Sequence, residues 1–583
     1  MMTFLSRMML LKSRAHFSTD VRRGAVRGKG RAFEGAGKRK ADMAKRRVGL
    51  LILGFTLVYG VIGGRLVQYG YAHPESTSSI MPPDRLMAAR PDILDRNGQV
   101  LATDIRTVSL FAEPHKIVDV DEAVEKLQTV LADLDSRDTY KKLSSKSHFQ
   151  WLRRQLTPKQ QSQILALGIP GIGFRPEIRR FYPGGSTAAH IVGFVNIDNR
   201  GMAGMEKYID NQGLADLADL GMTSNAPLEP VKLSIDLRVQ NIVHDVVAAA
   251  QVNFKAKSAG AVVLDVETGE VLGMASYPDF DPNKPEEGAK EGWLNRMSNG
   301  TFEMGSTFKS FTMAMGLDTG RVKLSDVFDA RYPLKIGGFT IHDFHGQSKF
   351  LSVPDIFKYS SNIGTAKIID VVGIPEQKEY LNRLGLLTKM KTELPEVKMP
   401  SQPRGEWKKI SSVTISFGHG VATTPLQTAV AGAALINGGK LIQPTFLPRT
   451  VDEANEVAEA VLKPSTSADM RYLFEYNGIN GSGRGARVPG LDVGGKTGTA
   501  DKVVNGRYDS KLNFNAFLGA FPMSKPRYVV LSFIDEPLSG EGGGTISAFT
   551  ALPIVRDVIR RTAPILGVEP NYGQVGNDML VSY

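Results

Sequence analysis

From Val48 to Gly64 the chain reads VGLLILGFTLVYGVIGG, an uncharged run directly after Lys45, Arg46 and Arg47. This run constrains the chain more than any other feature, because it separates a segment suited to lipid from segments that are not. At about 1.5 Å of rise per residue, its 17 residues are marginal for a hydrocarbon core about 30 Å thick. Leu66 and Val67 lengthen it, Arg65 can snorkel, and Tyr69 and Tyr71 suit an interfacial belt. A cleaved signal peptide has a shorter apolar core ending at an A-x-A-like site, which Ala72-His73-Pro74 is not. The expectation is one uncleaved transmembrane anchor over residues 48–70. The basic residues before it then hold residues 1–47 in the cytoplasm and export the body that follows.

The net charge of +11 lies in the same place: residues 1–47 hold 14 Lys/Arg against 3 Asp/Glu, and the remainder is balanced. This Arg-, Lys- and Gly-rich tail has no apolar period, so disorder and contact with anionic lipid are expected. A nucleic-acid partner would need a basic face on a folded domain, and a balanced body does not offer one, so none is expected. A second uncharged run, Ile410–Gly439, carries His419, Pro425, Gln427 and five glycines. Those interruptions suit a buried loop and a core helix better than a second span. The chain has no cysteine, which removes disulfides, a thiol nucleophile and cysteine-ligated metals.

Two blocks follow the anchor. Residues 75–240 mix short strand-like runs with Pro/Gly turns and one charged helical stretch over 121–157. Residues 245–570 form the longer block, and 571–583 a C-terminal tail. The longer block opens with AGAVVLDVETGEVLGMAS (Ala259–Ser276), two apolar runs around a turn, which predicts a β-hairpin. RYVVLSFID (Arg527–Asp535) predicts another strand, and Ser306–Leu317 and Thr424–Ile436 predict helices. The fold class expected is α/β (α+β), an antiparallel sheet flanked by helices, behind an elongated mixed domain and one transmembrane helix.

Three short patterns carry chemistry. S-x-x-K occurs once, at Ser306 and Lys309 within EMGSTFK; S-x-N occurs once, at Ser360-Ser361-Asn362; K-T-G occurs once, at Lys496-Thr497-Gly498, followed by Thr499. Singly each could be a helix cap, a turn or a strand end; their order and uniqueness argue for a joint site. A serine three residues before a lysine shares its helix face. Gly305 allows a sharp helix start and close backbone approach, and a helix N-terminus offers N–H groups where an oxyanion forms. Lys309 can take the Ser306 proton only when neutral, and burial beside a second cation such as Lys496 would make it so. Ser360 can relay a proton to a leaving group, and Asn362 can hold the lysine and a substrate amide. Lys496, Thr497 and Thr499 suit a strand edge that pairs with an extended peptide and binds its carboxylate. His342 and His345 lie in IHDFHG, whose flanking glycines predict a loop near the cleft; without cysteine or H-E-x-x-H, no metal is expected.

The three patterns resemble those of the penicillin-binding protein and serine β-lactamase superfamily. RPDILDRNG (Arg90–Gly98), Phe181-Tyr182-Pro183, HIVGFV (His190–Val195) and Gly204-Met205-Glu206 resemble the pedestal, or dimerisation-type, domain of class B penicillin-binding proteins. Leu233-Ser234-Ile235-Asp236, Gly418-His419-Gly420 and Thr424-Pro425-Leu426-Gln427 resemble their transpeptidase domain. The resemblance covers nearly the whole expected exported region, although Met304 stands where the family usually has proline and Pro91 where it has glycine. SSNIG at Ser360–Gly364 is similar to the division-specific (FtsI) type, since the elongation type usually carries aspartate at the position of Asn362.

The resemblance implies Ser306 as acylated nucleophile, Lys309 as base, and Ser360 with Asn362 for proton transfer and orientation. It implies Lys496, Thr497, Gly498 and Thr499 as the carboxylate-binding strand, with the backbone N–H groups of Ser306 and Thr499 as oxyanion hole. The donor would be a stem pentapeptide ending in D-Ala-D-Ala, the acceptor a neighbouring stem amine such as diaminopimelate, and β-lactams covalent mimics of the donor. No cofactor is implied. The resemblance further implies a single-pass protein of the bacterial inner membrane, its body in the periplasm at the division site, beside a polytopic lipid-II polymerase and bitopic division proteins. The alternatives are an elongation-type transpeptidase, a D,D-carboxypeptidase or β-lactamase-like hydrolase with water as acceptor, and a division scaffold. The hydrolase lacks support: the nearest text to a deacylating E-x-x-L-N element, Glu379-Tyr380-Leu381-Asn382, has the wrong spacing. Removal of residues 1–71 is expected to leave a soluble protein that still forms an acyl-enzyme. Aggregation or loss of β-lactam binding in that truncation would give the segment a part in organising the body.

Overall fold

The computed structural model describes residues 49–65, 90–214, 228–284, 286, 291–504 and 506–572. Residues 49–65 are one helix whose apolar side chains are exposed, Leu50 at 68% and Leu57 at 65%. Seventeen residues make a helix about 25 Å long. Among the described residues no helix is long and apolar enough to cross a membrane. Val48 and residues 66–70 of the expected anchor lie outside the described residues, as do the tail over 1–47 and residues 573–583.

The first block is organised around one long strand, Val100–Ala112, antiparallel to Gln150–Leu156 and to Ile172–Phe181. Ile93–Leu94 pairs antiparallel with its start and parallel with Val231–Lys232, so this sheet receives both ends of the block. Helices Val120–Val130, Ser136–Leu143 and Pro158–Ala166 contribute Leu127, Leu143 and Ile164 to a small core with Leu110 and Leu156. Asp119, Asp135 and Thr157 cap these helices by accepting from the N–H of Glu122, Asp138 and Gln160. The charged stretch over 121–157 is therefore not helical throughout: it ends at Leu143, and Gln150–Leu156 is a strand. Past the helix end Ser145 and Ser147 make local hydrogen bonds, among them Ser147 Oγ to the Phe149 carbonyl at 2.8 Å. Phe149 stacks on Phe111 at 5.0 Å, with Trp151 edge-on to Phe149 at 4.8 Å. The charges of Arg153 and Arg154 hide this strand's apolar face from a reading of sequence pattern.

A buried ionic knot ties the sheet to the Gly204–Ile209 helix. Glu206, with no exposed surface, accepts from Arg90 Nε at 2.8 Å and from Arg180 Nε at 2.6 Å. Arg90 also reaches Asp210 at 2.6 Å, and Arg180 reaches Asp104 at 3.0 Å. This is what the RPD and GME segments do: the first supplies Arg90 and the second Glu206, which together with Arg180 form the centre of the knot.

The second block is built on a five-stranded antiparallel sheet in the order Gly494–Val504, Arg507–Phe521, Tyr528–Asp535, Ser258–Asp265, Val271–Tyr277. The block's opening hairpin and its last strands thus meet at the sheet centre, Val530 opposite Val263. Both faces are covered, which explains the nearly unbroken apolar runs of the central strands. Val529, Leu531 and Phe533 enter one core, and Tyr528, Val530 and Ile534 the other, at the period of two that a strand imposes. Helices Leu237–Asn253 and Ala551–Thr562 cover the second face. Helices Lys309–Asp318, Asn362–Val372, Pro425–Ala434 and Pro464–Asn480 lie on the first. The uncharged run over 410–439 is two helical segments joined by a loop, Lys409–Ser416 half-buried and Pro425–Ala434 buried at every residue.

Replacing Glu206 by alanine leaves two nearly fully buried guanidinium groups short of a counter-charge. The expected cost is about 3 kcal/mol or more, read as a shift in the denaturant midpoint of the full-length protein.

Candidate active site

Ser306 sits in a 3₁₀ turn, Gly305–Phe308, that runs directly into the helix Lys309–Asp318, which is buried at every residue. From Met304 to Ser310 only Ser306 is not buried. Three glycines make the surrounding approach possible. Gly305 has φ +53°, and a Cβ there would stand 2.5 Å from the Thr499 carbonyl oxygen. A Cβ on Gly418 would stand 1.9 Å from the Gly305 oxygen, and one on Gly498 2.2 Å from the Met304 oxygen. No side chain fits between these backbones, so the turn is pressed onto the edge strand on one side and the 417–420 loop on the other.

Ser360 ends the helix Val353–Tyr359 in a left-handed conformation, φ +55°, unusual for a residue with a side chain. Ser361 then caps the helix Asn362–Val372. In this bend Ser360 Oγ accepts from Lys309 Nζ at 3.0 Å and from Lys496 Nζ at 3.0 Å. Lys309 also donates to the Ser360 carbonyl at 2.5 Å, and Lys496 to the Thr497 carbonyl at 3.1 Å. Lys309 is 1% exposed and Lys496 0%. Burial pushes Lys309 well below the ordinary lysine range; the charge of Lys496 acts the same way, and Asp343 opposes it. Burial brings Lys496 down to about 7. The three sequence patterns thus meet at one hydroxyl, and two amines that would be ammonium groups in water are held where one of them gives up its proton.

The other expected site residues are distributed around this centre. Asn362 Nδ2 donates to the His342 carbonyl at 2.9 Å; among the described residues it has no hydrogen bond to either lysine. Thr497 Oγ1 donates to Ser482 Oγ at 2.9 Å. Thr499 Oγ1 donates to Asn515 Oδ1 at 2.8 Å, directly across the strand pair, and accepts from Ser547 N–H at 3.1 Å. Both threonine hydroxyls are therefore turned to protein partners. Among the described residues Gly494–Val504 pairs with no strand other than Arg507–Phe521, so it is an edge strand of the sheet.

Asp343 is the site residue the sequence reading passed over. Its carboxylate accepts from Ser361 Oγ at 2.7 Å and Ile363 N–H at 2.9 Å, locking the IHDFHG loop onto the start of the Asn362–Val372 helix. The signal was present, an acid in a loop otherwise inspected for its histidines. An acid at a helix N-terminus is favoured electrostatically, but sequence does not say which helix a loop will meet.

Comparison with known proteins agrees with this geometry. Residues 259–559 match the penicillin binding protein transpeptidase domain, and residues 85–213 the penicillin-binding protein dimerisation domain. The chain is 38% identical over 492 residues to the probable peptidoglycan D,D-transpeptidase FtsI of Caulobacter vibrioides, covering 82% of each protein. It is 32% identical over 561 residues to the probable peptidoglycan D,D-transpeptidase PenA of Neisseria meningitidis, covering 91% of this chain and 95% of that one. It is 30% identical over 514 residues to the peptidoglycan D,D-transpeptidase FtsI of Escherichia coli K12, covering 84% and 85%.

A neutral Lys309 beside a cationic Lys496 exists only within a window of pH. The second-order rate of Ser306 acylation by a β-lactam is expected to rise as Lys309 loses its proton. It is expected to fall again as Lys496 loses its own near pH 7. Lys496→Arg keeps the charge at high pH and is expected to remove the falling limb while lowering the maximum. A profile flat from pH 5 to 9 would contradict this assignment of charge.

Proposed function

Since the chain belongs to the class B penicillin-binding proteins of the FtsI type, and is a peptidoglycan D,D-transpeptidase, we propose that it cross-links stem peptides during septal wall synthesis through an acyl-enzyme on Ser306. The observation that carries the reading is the one hydroxyl, Ser360 Oγ, shared at 3.0 Å by two buried lysines, one from each of the other motifs.

In this reading the stem pentapeptide lies along the edge strand Gly494–Val504, its terminal carboxylate drawn to Lys496 and the hydroxyls of Thr497 and Thr499. Thr499 must exchange its bond to Asn515 for the carboxylate, and Gly498 keeps the strand close to the nucleophile turn. Ser306 Oγ attacks the carbonyl of the penultimate D-alanine while neutral Lys309 takes its proton. The backbone N–H groups of Ser306 and Thr499 stabilise the oxyanion. The peptide C–N bond breaks, and the proton passes by way of Ser360 to the departing D-alanine amine. Asn362 orients the donor amide. The amine of a neighbouring stem, diaminopimelate in the simplest case, then attacks the ester and frees Ser306. A β-lactam enters as the donor does and stops at the acyl stage.

The same reading assigns residues 75–240 to the pedestal domain, 245–570 to the transpeptidase domain and 571–583 to a tail. It sets the protein in the bacterial inner membrane through an anchor over 48–70, with 1–47 in the cytoplasm and the body in the periplasm at the division site. The basic residues before the apolar run support that orientation. The expected partners are a polytopic lipid-II polymerase and bitopic division proteins.

The test is covalent labelling of the purified full-length protein with a fluorescent penicillin, followed over hours beside Ser306→Ala. Stable labelling of the wild type alone is the expected result. Label that disappears within minutes would favour a hydrolase, and an unlabelled but folded wild type would leave a scaffold.

A further inference from the structure

Three residues before Ser306, the carboxylate of Glu303 gathers groups from two distant segments. Its Oε1 accepts from the Gly420 N–H at 2.8 Å and from the Tyr508 hydroxyl at 3.2 Å. Its Oε2 lies 3.1 Å from Nδ1 of His419. His419 belongs to the loop that touches the nucleophile turn, because its neighbour Gly418 is the glycine packed on the Gly305 carbonyl. The imidazole is thus held by Glu303, three residues before Ser306, on a loop packed against the Ser306 turn, with its side chain 24% exposed. Phe417 and Tyr508 meet the ring edge-on at 5.9 and 5.3 Å.

A carboxylate on Nδ1 selects the tautomer that carries its proton there and leaves the lone pair on Nε2. Among the described residues Nε2 has no hydrogen-bond partner. The charged and titratable groups around the ring are Glu303, the Tyr508 hydroxyl and, beyond Tyr508, Asp501. Burial and Glu303 push Tyr508 upward, so it stays protonated. The surroundings therefore carry negative charge and aromatic faces, which suit a cation.

Acylation, as argued above, uses Lys309, Ser360 and Lys496 and has no step for this pair. The second half-reaction has an unmet requirement. An aliphatic amine is mostly protonated at neutral pH, with a pKa of about 10, and an ammonium ion has no lone pair for attack. We propose that His419, oriented by Glu303, is the base that removes a proton from the incoming acceptor ammonium before it attacks the Ser306 acyl-enzyme. This rests on the acyl-transfer reading above. The ammonium gives one proton to Nε2, and its freed pair forms the new C–N bond at the ester carbonyl. The bond from that carbon to Ser306 Oγ breaks, a second amine proton returns to Oγ through Ser360 and Lys309, and the third stays on the amide nitrogen. His419 then releases its proton to water. His419 is the catalytic residue of this step, and Glu303 is a positioning residue that acts through it.

The test uses the full-length protein with an N-acyl-D-alanyl thioester as donor and D-alanine as acceptor amine, reading the ratio of amide to acid product from pH 5 to 9. The wild-type ratio is expected to exceed what the un-ionised fraction of the amine alone supports at every pH below the amine's own titration. His419→Gln keeps an N–H for Glu303 and loses the base. It is expected to lower the ratio at pH 7 at least about tenfold and leave only the amine's own titration, while a penicillin still labels Ser306. If His419→Gln matches the wild type in ratio and pH profile, the role is only structural and the proposal fails. It fails equally if labelling and aminolysis fall together. Should His419→Gln not fold, Glu303→Gln is expected to lower the amide-to-acid ratio at pH 7 while a penicillin still labels Ser306, and an unchanged ratio overturns the proposal. Absence of labelling in the wild type would instead remove the acyl-transfer reading itself.

Discussion

Two lysine side chains without solvent, both within 3.0 Å of one hydroxyl oxygen, are the constraint on which the rest of this site depends. Desolvation opposes each charge, and a second charge at that range opposes the other further. The arrangement holds only if one amine is neutral, and the geometry decides which. Lys309 is enclosed by a helix buried at every residue and feels the charge of Lys496. Lys496 is shifted by burial alone, and the Thr497 carbonyl accepts from its amine. The asymmetry gives two residues of the same type different surroundings, and in the proposed reaction one serves as base and the other as cation.

Such a pair needs three segments, spaced 51 and 136 residues apart along the chain, to be held at hydrogen-bond distance. The sheet and the glycines supply that precision. The edge strand carrying Lys496 is held in register to Arg507–Phe521 along eleven residue pairs, with one bulge at Asp501 and Lys502. Gly305, Gly418 and Gly498 let backbones meet without intervening side chains, so the turn cannot drift from the strand. Ser360 takes its strained left-handed backbone because the two lysines, and Asp343 through Ser361, hold it from both sides. Small residues and one strained bend do the positioning here, since a flexible loop would lose the shared hydroxyl with an ångström of movement.

Much of this was legible in sequence because it repeats at short range. S-x-x-K, S-x-N and K-T-G are local patterns, and the Ala259–Ser276 hairpin and the Tyr528–Asp535 strand announce themselves by apolar runs. What escaped was set by contacts distant in the chain. Gln150–Leu156 looks helical because Arg153 and Arg154 are charged, yet Arg154 pairs with Asp198 at 2.8 Å and Phe111 fixes the neighbouring aromatic residues. Sequence assigns Thr497 and Thr499 to ligand binding, and it does not reveal that Ser482 and Asn515 accept from their hydroxyls within the fold. Asp343 and Glu303 were passed over for the same reason. Their significance lies in which segment they meet, and nothing in their own neighbours states it.

The two blocks read from sequence are joined more tightly than a linker would imply. The helix Leu237–Asn253 runs across residue 240, where the first block is expected to end, and Leu237 N–H at its start donates to Asp95 at 3.0 Å. Gln240 donates to the Thr187 carbonyl at 2.6 Å, and Asn283 exchanges two hydrogen bonds with the backbone of Tyr182 at 3.0 and 2.9 Å. His190 meets the Gly292 carbonyl at 2.7 Å, and burial holds it down to about 4, so it stays neutral and donates there. Glu396 accepts from Gly204 N–H at 3.2 Å, two residues from the Glu206 that binds both buried arginines. A displacement of the Gly204–Ile209 helix would thus be felt at Glu396 and, through Ser298, whose hydroxyl donates to the Glu396 carbonyl at 2.6 Å, in the segment that leads into the nucleophile turn. Hydrogen bonds thus run from the ionic knot of the first block, by way of Gly204, Glu396 and Ser298, to the segment that precedes Ser306.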